Sequence, residues 1–427
     1  MKTESSVVKT PKAKADIKKA ARNFISSNMV TIMFVALSLL GFYVSGMSAN
    51  LYVSDIIARV SRNTFLVLSL IIPVVAGMGL NFSIVIGAMA AQGAIIFVTH
   101  WGIGGFGGIM LCIALATPVS IILGYMVGKL FNRAKGQEMI TGLILGFFAA
   151  GWYQFFFLQL VGTRFVPMNN ERLVLSQGVG IRTTIDLAGG LRYGLDDLFR
   201  MPLPYVLILA AVIGIGYALI RYRKTRREEM GKSQLAFTGS FCLAGIIWAV
   251  ILLMGDSDIS RISVPMATLF FIIALCFFLT FFSRTKLGQD MRTVGQDRHV
   301  AAVAGIAVDR VRVTAIILST VLASWGHIIF LQNMGAFSTY GSYEQIGLYS
   351  VAAILIGGAT VSKATIGQAL LGVFLFHTLF IVSPSAGRQL FGDAQVGEYF
   401  RVFVAYGVIC VALAMHAWKR HLQSKQG

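Results

Sequence analysis

Residues 288–312 read GQDMRTVGQDRHVAAVAGIAVDRVR, a polar and basic loop set between two apolar runs, 265–283 and 313–332. Gly295 and Gly305 bracket its middle. Asp297 stands near the start of the bracketed piece, and Ala301, Ala302 and Ala304 follow. An Asp side chain accepts hydrogen bonds from the free amides of a first helical turn, and Gly adopts the left-handed conformation that ends a helix. The spacing therefore predicts one short helix between the two glycines. A helix sided with alanine buries little apolar area of its own, and its shape suits seating in a cleft on another protein. A solvated loop with an incidental helical turn is the alternative.

The flanking runs set the class. Mean hydropathy is +0.75, 56% of residues are hydrophobic and only 13% are charged, far from a soluble domain. Apolar runs of about 18 residues recur along the chain, the length a helix needs to cross a bilayer. Twelve can be marked: 29–46, 64–79, 82–99, 106–129, 139–161, 203–220, 236–254, 265–283, 313–332, 346–358, 365–382 and 402–418. Several are short or broken by glycine. The expectation is an all-α polytopic membrane helix bundle of about 10–12 transmembrane helices. A basic tail (1–28) precedes the membrane domain (29–420), and a short tail (421–427) follows it.

Lys and Arg number 36 against 18 Asp and Glu, an excess that invites a nucleic-acid reading. Its distribution argues otherwise. With the N-terminus inside and twelve crossings, 26 of the 36 basic residues, and every Lys, fall on inner segments. That is the positive-inside bias, and it places both termini in the cytoplasm. Anionic inner-leaflet lipid and an acidic partner account for the charge without nucleic acid. Cys112, Cys242, Cys276 and Cys410 sit one to an apolar run with no metal-ligand spacing, and read as small hydrophobes. His327 and His377 lie in apolar runs, where packing histidines and functional ones compete as readings.

Two apolar stretches are interrupted. In the first, Pro73, Gly77 and Gly79 punctuate the chain, and Asn81, Ser83 and Gln92 bring polar side chains to bilayer depth. In the second, Gly357 and Gly358 break the run before Lys363. Broken helices leave backbone groups that must face protein or a water-lined path, so such breaks point to a translocation route. Close packing through Gly87, Ala88, Ala90, Ala91 and Gly93 explains the first equally well. The comparable placement of the breaks suggests a two-fold internal repeat. Residues 162–202 form a long polar connection, read as extracytoplasmic. Its Arg164, Arg172, Arg182 and Arg192, mixed with Asp186, Asp196 and Asp197, suit either a docking surface or a solvated lid.

Gly295, Asp297, Ala301, Gly305 and Ile306, in the pattern G-x-D-x-x-x-A-x-x-x-G-I, resemble the cytoplasmic coupling-helix motif of ABC importer permeases. The branch is the one that includes ribose, simple-sugar, nucleoside and branched-chain amino-acid systems. Lys286-Leu287-Gly288 is similar to that family's entry into the loop, and Asp297 replaces its usual Asn. Gly79-Leu80-Asn81-Phe82-Ser83-Ile84-Val85 is similar to the family's G-I-D-L-S-V-G, with Asn81 for the acid and the next glycine delayed to Gly87. The run ending at Gly357-Gly358 is the third match. The likeness covers about 63–150 and 264–414. The apolar pair in 203–254 has no counterpart and looks like an inserted hairpin. The resemblance implies a permease subunit in a bacterial inner membrane, paired with a second permease subunit, ABC ATPase subunits and an extracytoplasmic solute-binding protein. It implies a coupling loop over 284–312 with Gly295, Asp297, Ala301, Ala302, Gly305 and Ile306 in the coupling role. Asn81, Ser83, Gln92, Gly357 and Gly358 would line or shape the route.

No apolar core contains Asp or Glu, which weighs against an ion-coupled secondary carrier, since those commonly need an intramembrane carboxylate. A carrier or a channel-like protein is the alternative of a different class. Gly231-Lys232-Ser233 is only a fragment of a phosphate loop, because Arg226 stands where its first glycine belongs. The chain is therefore expected to be no enzyme and to bind no cofactor, with ATP used by the partner ATPase. Neutral polar side chains along the route suit a simple sugar or nucleoside; a branched-chain amino acid or a vitamin is the alternative solute.

Overall fold

The computed structural model describes residues 11–168, 170–174, 180–224, 229–255, 257–393, 395–403, 406–407, 410–411, 414 and 418; side chains at 11–27, 217, 221–224, 229–238 and 241 are not described. Most of the apolar run 402–418, and the tail after it, lie outside the described residues.

Each of the first eleven apolar runs falls on helix. The chain proceeds through α1 (Pro11–Ser45), α2 (Ala49–Ser69), α3 (Ile71–Val75), α4 (Ile84–His100), α5 (Gly105–Arg133) and α6 (Glu138–Phe155). It continues through α7 (Leu203–Lys224), α8 (Glu229–Met254), α9 (Met266–Phe282), α10 (Lys286–Gln296) and α11 (Arg298–Val303), then α12 (Val308–Met334), α13 (Glu344–Ile356) and α14 (Ile366–Phe391). Among the described residues, seven helices are long and apolar enough to cross a membrane, or eight if the bent pair α9–α10 is one span. Ile84–His100, Cys242–Met254 and Glu344–Ile356 are apolar but shorter. The architecture is an all-α polytopic bundle.

α12 is the axis of the bundle, packed against α2, α4 and α5. Its Ala315, Ile316, Ala323, Ile328 and Leu331 are fully or almost fully buried. Small residues on its neighbours let the backbones approach, a usual means of membrane helix packing. α7 and α8 pack chiefly on each other, and they meet the rest through two short strands described below and a helical turn at Asp258–Arg261.

The two ends of the bundle differ in construction. One end carries α10, α11, the α5–α6 turn and the basic residues around them; it is called the basic end here. The opposite end is capped by 162–202, which is ordered wherever it is described. There β1 (Thr184–Asp186) pairs antiparallel with β4 (Ala336–Ser338), and β2 (Arg200–Pro202) with β3 (Ser263–Pro265). Arg164, Arg172, Arg182 and Arg192 are exposed on this cap, as are Asp186 and Asp197. Asp196 is buried, bonded to Thr268 and, at 2.7 Å, to Asn333.

The helix expected over 64–79 begins at Ala49 instead, so Arg59 and Arg62 lie inside a candidate span, Ala49–Val75. Aromatic faces explain their tolerance. The Arg59 guanidinium sits 4.8 Å from the Phe380 ring centre and Arg62 5.7 Å from that of Phe330, contacts that offset part of the cost of burying a cation. A second correction concerns 286–296, expected as irregular loop. It is α10, and it leaves α9 at 75°. Thr285 accepts from the Gly288 amide to cap it, while Met291 and Val294 are buried on the core side.

Candidate functional site

Asp297 is the joint between α10 and α11. Its carboxylate accepts from the His299 amide at 2.7 Å and the Val300 amide at 3.0 Å. Those bonds hold its pKa below the ordinary Asp value. At the other end, Gly305 has φ +81. Its amide donates to Ala302 O at 3.0 Å while the Ile306 amide donates to Ala301 O at 3.0 Å, a pair of bonds that requires a left-handed residue at 305. The sequence pattern thus sets both ends of α11. Gly295 has a different duty. A Cβ there would lie 2.1 Å from the Val75 carbonyl oxygen, so only glycine lets α10 rest on the chain that leaves α3.

The faces of α11 are divided. Ala301 is fully buried and turned inward, so it seats the helix. Ala302, Ala304 and Gly305 are exposed, and Val300 and Val303 project at 57% and 79% exposure. A short, apolar, exposed knob therefore stands at the basic end.

Behind that knob lies a charge clamp. Arg298 Nη2 donates to the Gly77 carbonyl at 3.0 Å and to Glu138 Oε1 at 2.9 Å. Arg312 Nη2 donates to the same Glu138 oxygen at 2.5 Å. One carboxylate so ties α11, the α3–α4 break, the start of α6 and the start of α12. The Arg312 side chain is 0% exposed and Glu138 7%. Removing one partner from a buried pair strands the other charge, at a cost of about 3–5 kcal/mol. Sequence reasoning missed Glu138, Arg298 and Arg312. One signal was present: Glu138 is the only carboxylate between Asp55 and Glu171.

The residues expected to shape the route fall in two groups. Asn81 and Ser83 are buried at the start of α4, with Asn81 Oδ1 bonded to the Ser83 amide at 3.0 Å and Asn81 Nδ2 to Ser319 of α12 at 3.3 Å. Gln92 is fully buried, and neither its side-chain oxygen nor its nitrogen has a partner among the described residues. Gly357 and Gly358 form the second break, between α13 and α14. Gly357 packs against Gln368 and Gly372 of α14, and Gly358 against Thr31 of α1. The two breaks approach each other through Gly79 and Val361, with Met139 alongside. A cavity of about 270 Å³ lies close by, walled by Phe82, Val85, Gly146, Glu344 and Gly347 among others. His327 is buried and stacked on Phe330, ring centres 5.8 Å apart, and His377 is buried between Phe376 and Phe380. No group of three metal-ligating side chains occurs among the described residues.

Residues 52–413 match the family of permease components of branched-chain amino acid transport systems, and the chain belongs to it. A xylose transport system permease, XylH of Haemophilus influenzae, is 23% identical over 306 residues, 69% of this chain and 73% of its own length. A probable ABC transporter permease, YphD of Escherichia coli, is 27% identical over 36% of this chain and 44% of its own. A nucleoside ABC transporter permease, NupB of Lactococcus lactis, is 24% identical over 33% of this chain and 37% of its own. The chain thus spans less than half the length of two of these relatives. No solved structure matches it. This is a multi-pass membrane protein of a permease family.

Proposed function

We propose that this chain is the membrane-spanning permease subunit of an ABC importer in a bacterial inner membrane, carrying a simple sugar or nucleoside inward with energy from a separate ATPase. The observation that carries the reading is α11: a capped helix whose inward side is fixed by Ala301 and the Arg298–Glu138–Arg312 clamp, and whose outward side exposes Val300, Ala302 and Val303. The family membership supports it. In this reading the basic end faces the cytoplasm with both termini, an ATPase seats on α11, and its motion reaches the bundle through Arg298 to Gly77 and Glu138. The α3–α4 break, where Asn81 and Ser83 sit, is the first bundle element that the motion meets. A second permease subunit, a second ATPase and an extracytoplasmic solute-binding protein on the 162–202 cap complete the assembly.

The mechanism is a two-state equilibrium biased by contacts that differ between states. The solute class rests on relatives named for xylose and nucleosides and on the neutral polar side chains Asn81, Ser83 and Gln92, buried at and just beyond the α3–α4 break. Proteoliposomes holding the chain, its ATPase and its binding protein should accumulate labelled solute only with hydrolysable ATP, and unchanged by a proton ionophore. Uptake that an ionophore abolishes and ATP does not alter would identify an ion-coupled carrier instead.

A further inference from the structure

Beside α11 the structure has a cavity of about 1180 Å³, between the basic ends of α5 and α12. Lys129, Arg133, Lys135, Arg298, Arg310 and Arg312 reach it, against Asp309 as the one carboxylate in its lining. Arg312 is the telling member. It is 0% exposed, its Nη2 serves Glu138, and its Nε and Nη1 have no hydrogen-bond partner among the described residues. Buried guanidinium donors without acceptors are costly, and they mark a place for an anion. Ala307 and Val308, at the start of the 27-residue α12, also line the cavity, and no side chain caps that helix. Its free amides and dipole add to the attraction for negative charge.

The helix surface that adjoins the cavity decides what kind of anion. Along α5, Ile122, Met126, Lys129 and Arg133 fall at three- and four-residue spacing, one stripe of the helix. Ile122 and Met126 are exposed at 61% and 62%, and Tyr125, Val313 and Ile317 continue the cavity toward the same depth. Lys129 bends over the Tyr125 ring at 5.4 Å, so its charge stays with the basic cluster. The stripe is apolar within the candidate span Gly105–Arg133 and cationic at its end, which is the polarity of a phospholipid. We propose that this cavity binds the phosphate headgroup of an anionic phospholipid through the exposed Lys129, Arg133 and Arg310, its acyl chains lying along Ile122 and Met126, and that the buried Arg312 adds its charge from behind the wall. The bound lipid would brace α5, α12 and α11 at the clamp.

The test uses the full chain, purified and exchanged into mixed micelles of equimolar phosphatidylglycerol and phosphatidylcholine, with retained lipid weighed by native mass spectrometry. The wild-type chain should retain phosphatidylglycerol preferentially. The exposed-residue variant Lys129→Gln/Arg133→Gln/Arg310→Gln should lose that preference, by about fivefold for each charge removed. Its melting temperature in phosphatidylcholine alone should match wild type, which separates lost binding from lost fold. Equal retention of the two lipids by wild type would overturn the proposal. So would inorganic phosphate at millimolar concentration displacing the lipid, which would mark a site for a free anion only. If the variant keeps its lipid preference yet no longer retains the ATPase, the cavity is a protein-docking face and the proposal fails.

Discussion

Each end of the bundle is held by one buried carboxylate, and the two are held differently. At the capped end, Asp196 bonds the neutral side chains of Thr268 and Asn333. At the basic end, Glu138 is gripped by two guanidinium groups from α11 and α12. Neutral partners make a lock whose strength falls away once the bonds lengthen. An ion pair in a low-dielectric site acts over a longer reach and also penalises separation heavily. The neutral lock suits a static lid. The charged one suits a joint where a displaced segment must pull its neighbours along.

The difference can be broken by mutation. Glu138→Ala should have the largest effect, because it leaves Arg312 buried and unpaired. A loss of about 3–5 kcal/mol in stability is expected, measured by thermal or denaturant unfolding in detergent, together with loss of ATP-driven uptake. Arg298→Ala, whose side chain is 35% exposed, should cost far less stability while still impairing uptake. A stability loss from Arg298→Ala equal to that from Glu138→Ala would erase the distinction between buried anchor and transmitting arm. Asp196→Ala should cost about 1.5–3 kcal/mol, the range for bonds to a charged group, with transport per folded molecule unchanged. Gly305→Ala forces a non-glycine residue to φ +81 and should cost about 1–2 kcal/mol, read as earlier exchange of the α11 amides.

The smallest effect concerns pH. The Asp297 pKa is depressed in the folded chain, so its stabilisation is complete above the unfolded Asp value of about 3.9 and is lost only as pH falls through the folded value. ATPase stimulation by the chain should therefore show no contribution from Asp297 between about pH 5 and 8, and Asp297→Asn should leave that profile flat.

The sequence's legibility followed the physics of each feature. Apolar runs announced the spans, and the Asp297 and Gly305 spacing announced α11, because capping is local chemistry. The first half of α2 was hidden because Arg59 and Arg62 lower its hydropathy, and the Phe380 and Phe330 rings that shelter them come from distant helices. α10 was hidden because a short amphipathic helix with Met291 and Val294 inward resembles a polar loop when its neighbours are unknown. The clamp was least legible. Arg298 and Arg312 lie 160 and 174 residues from Glu138, and no local pattern encodes that meeting. Nor does a sequence show that Ala301 faces inward while Ala302 faces out.

The most direct measurement is a crosslink to the knob itself. With all four native cysteines (Cys112, Cys242, Cys276 and Cys410) replaced by serine, Val303→Cys should crosslink to the partner ATPase through a short bifunctional reagent, and adding Val300→Asp should abolish the product. A cysteine at exposed Leu198, on the capped end, should give none. An ATPase crosslink from Leu198 and none from Val303 would contradict the account, because the engine would then meet the wrong end of the bundle.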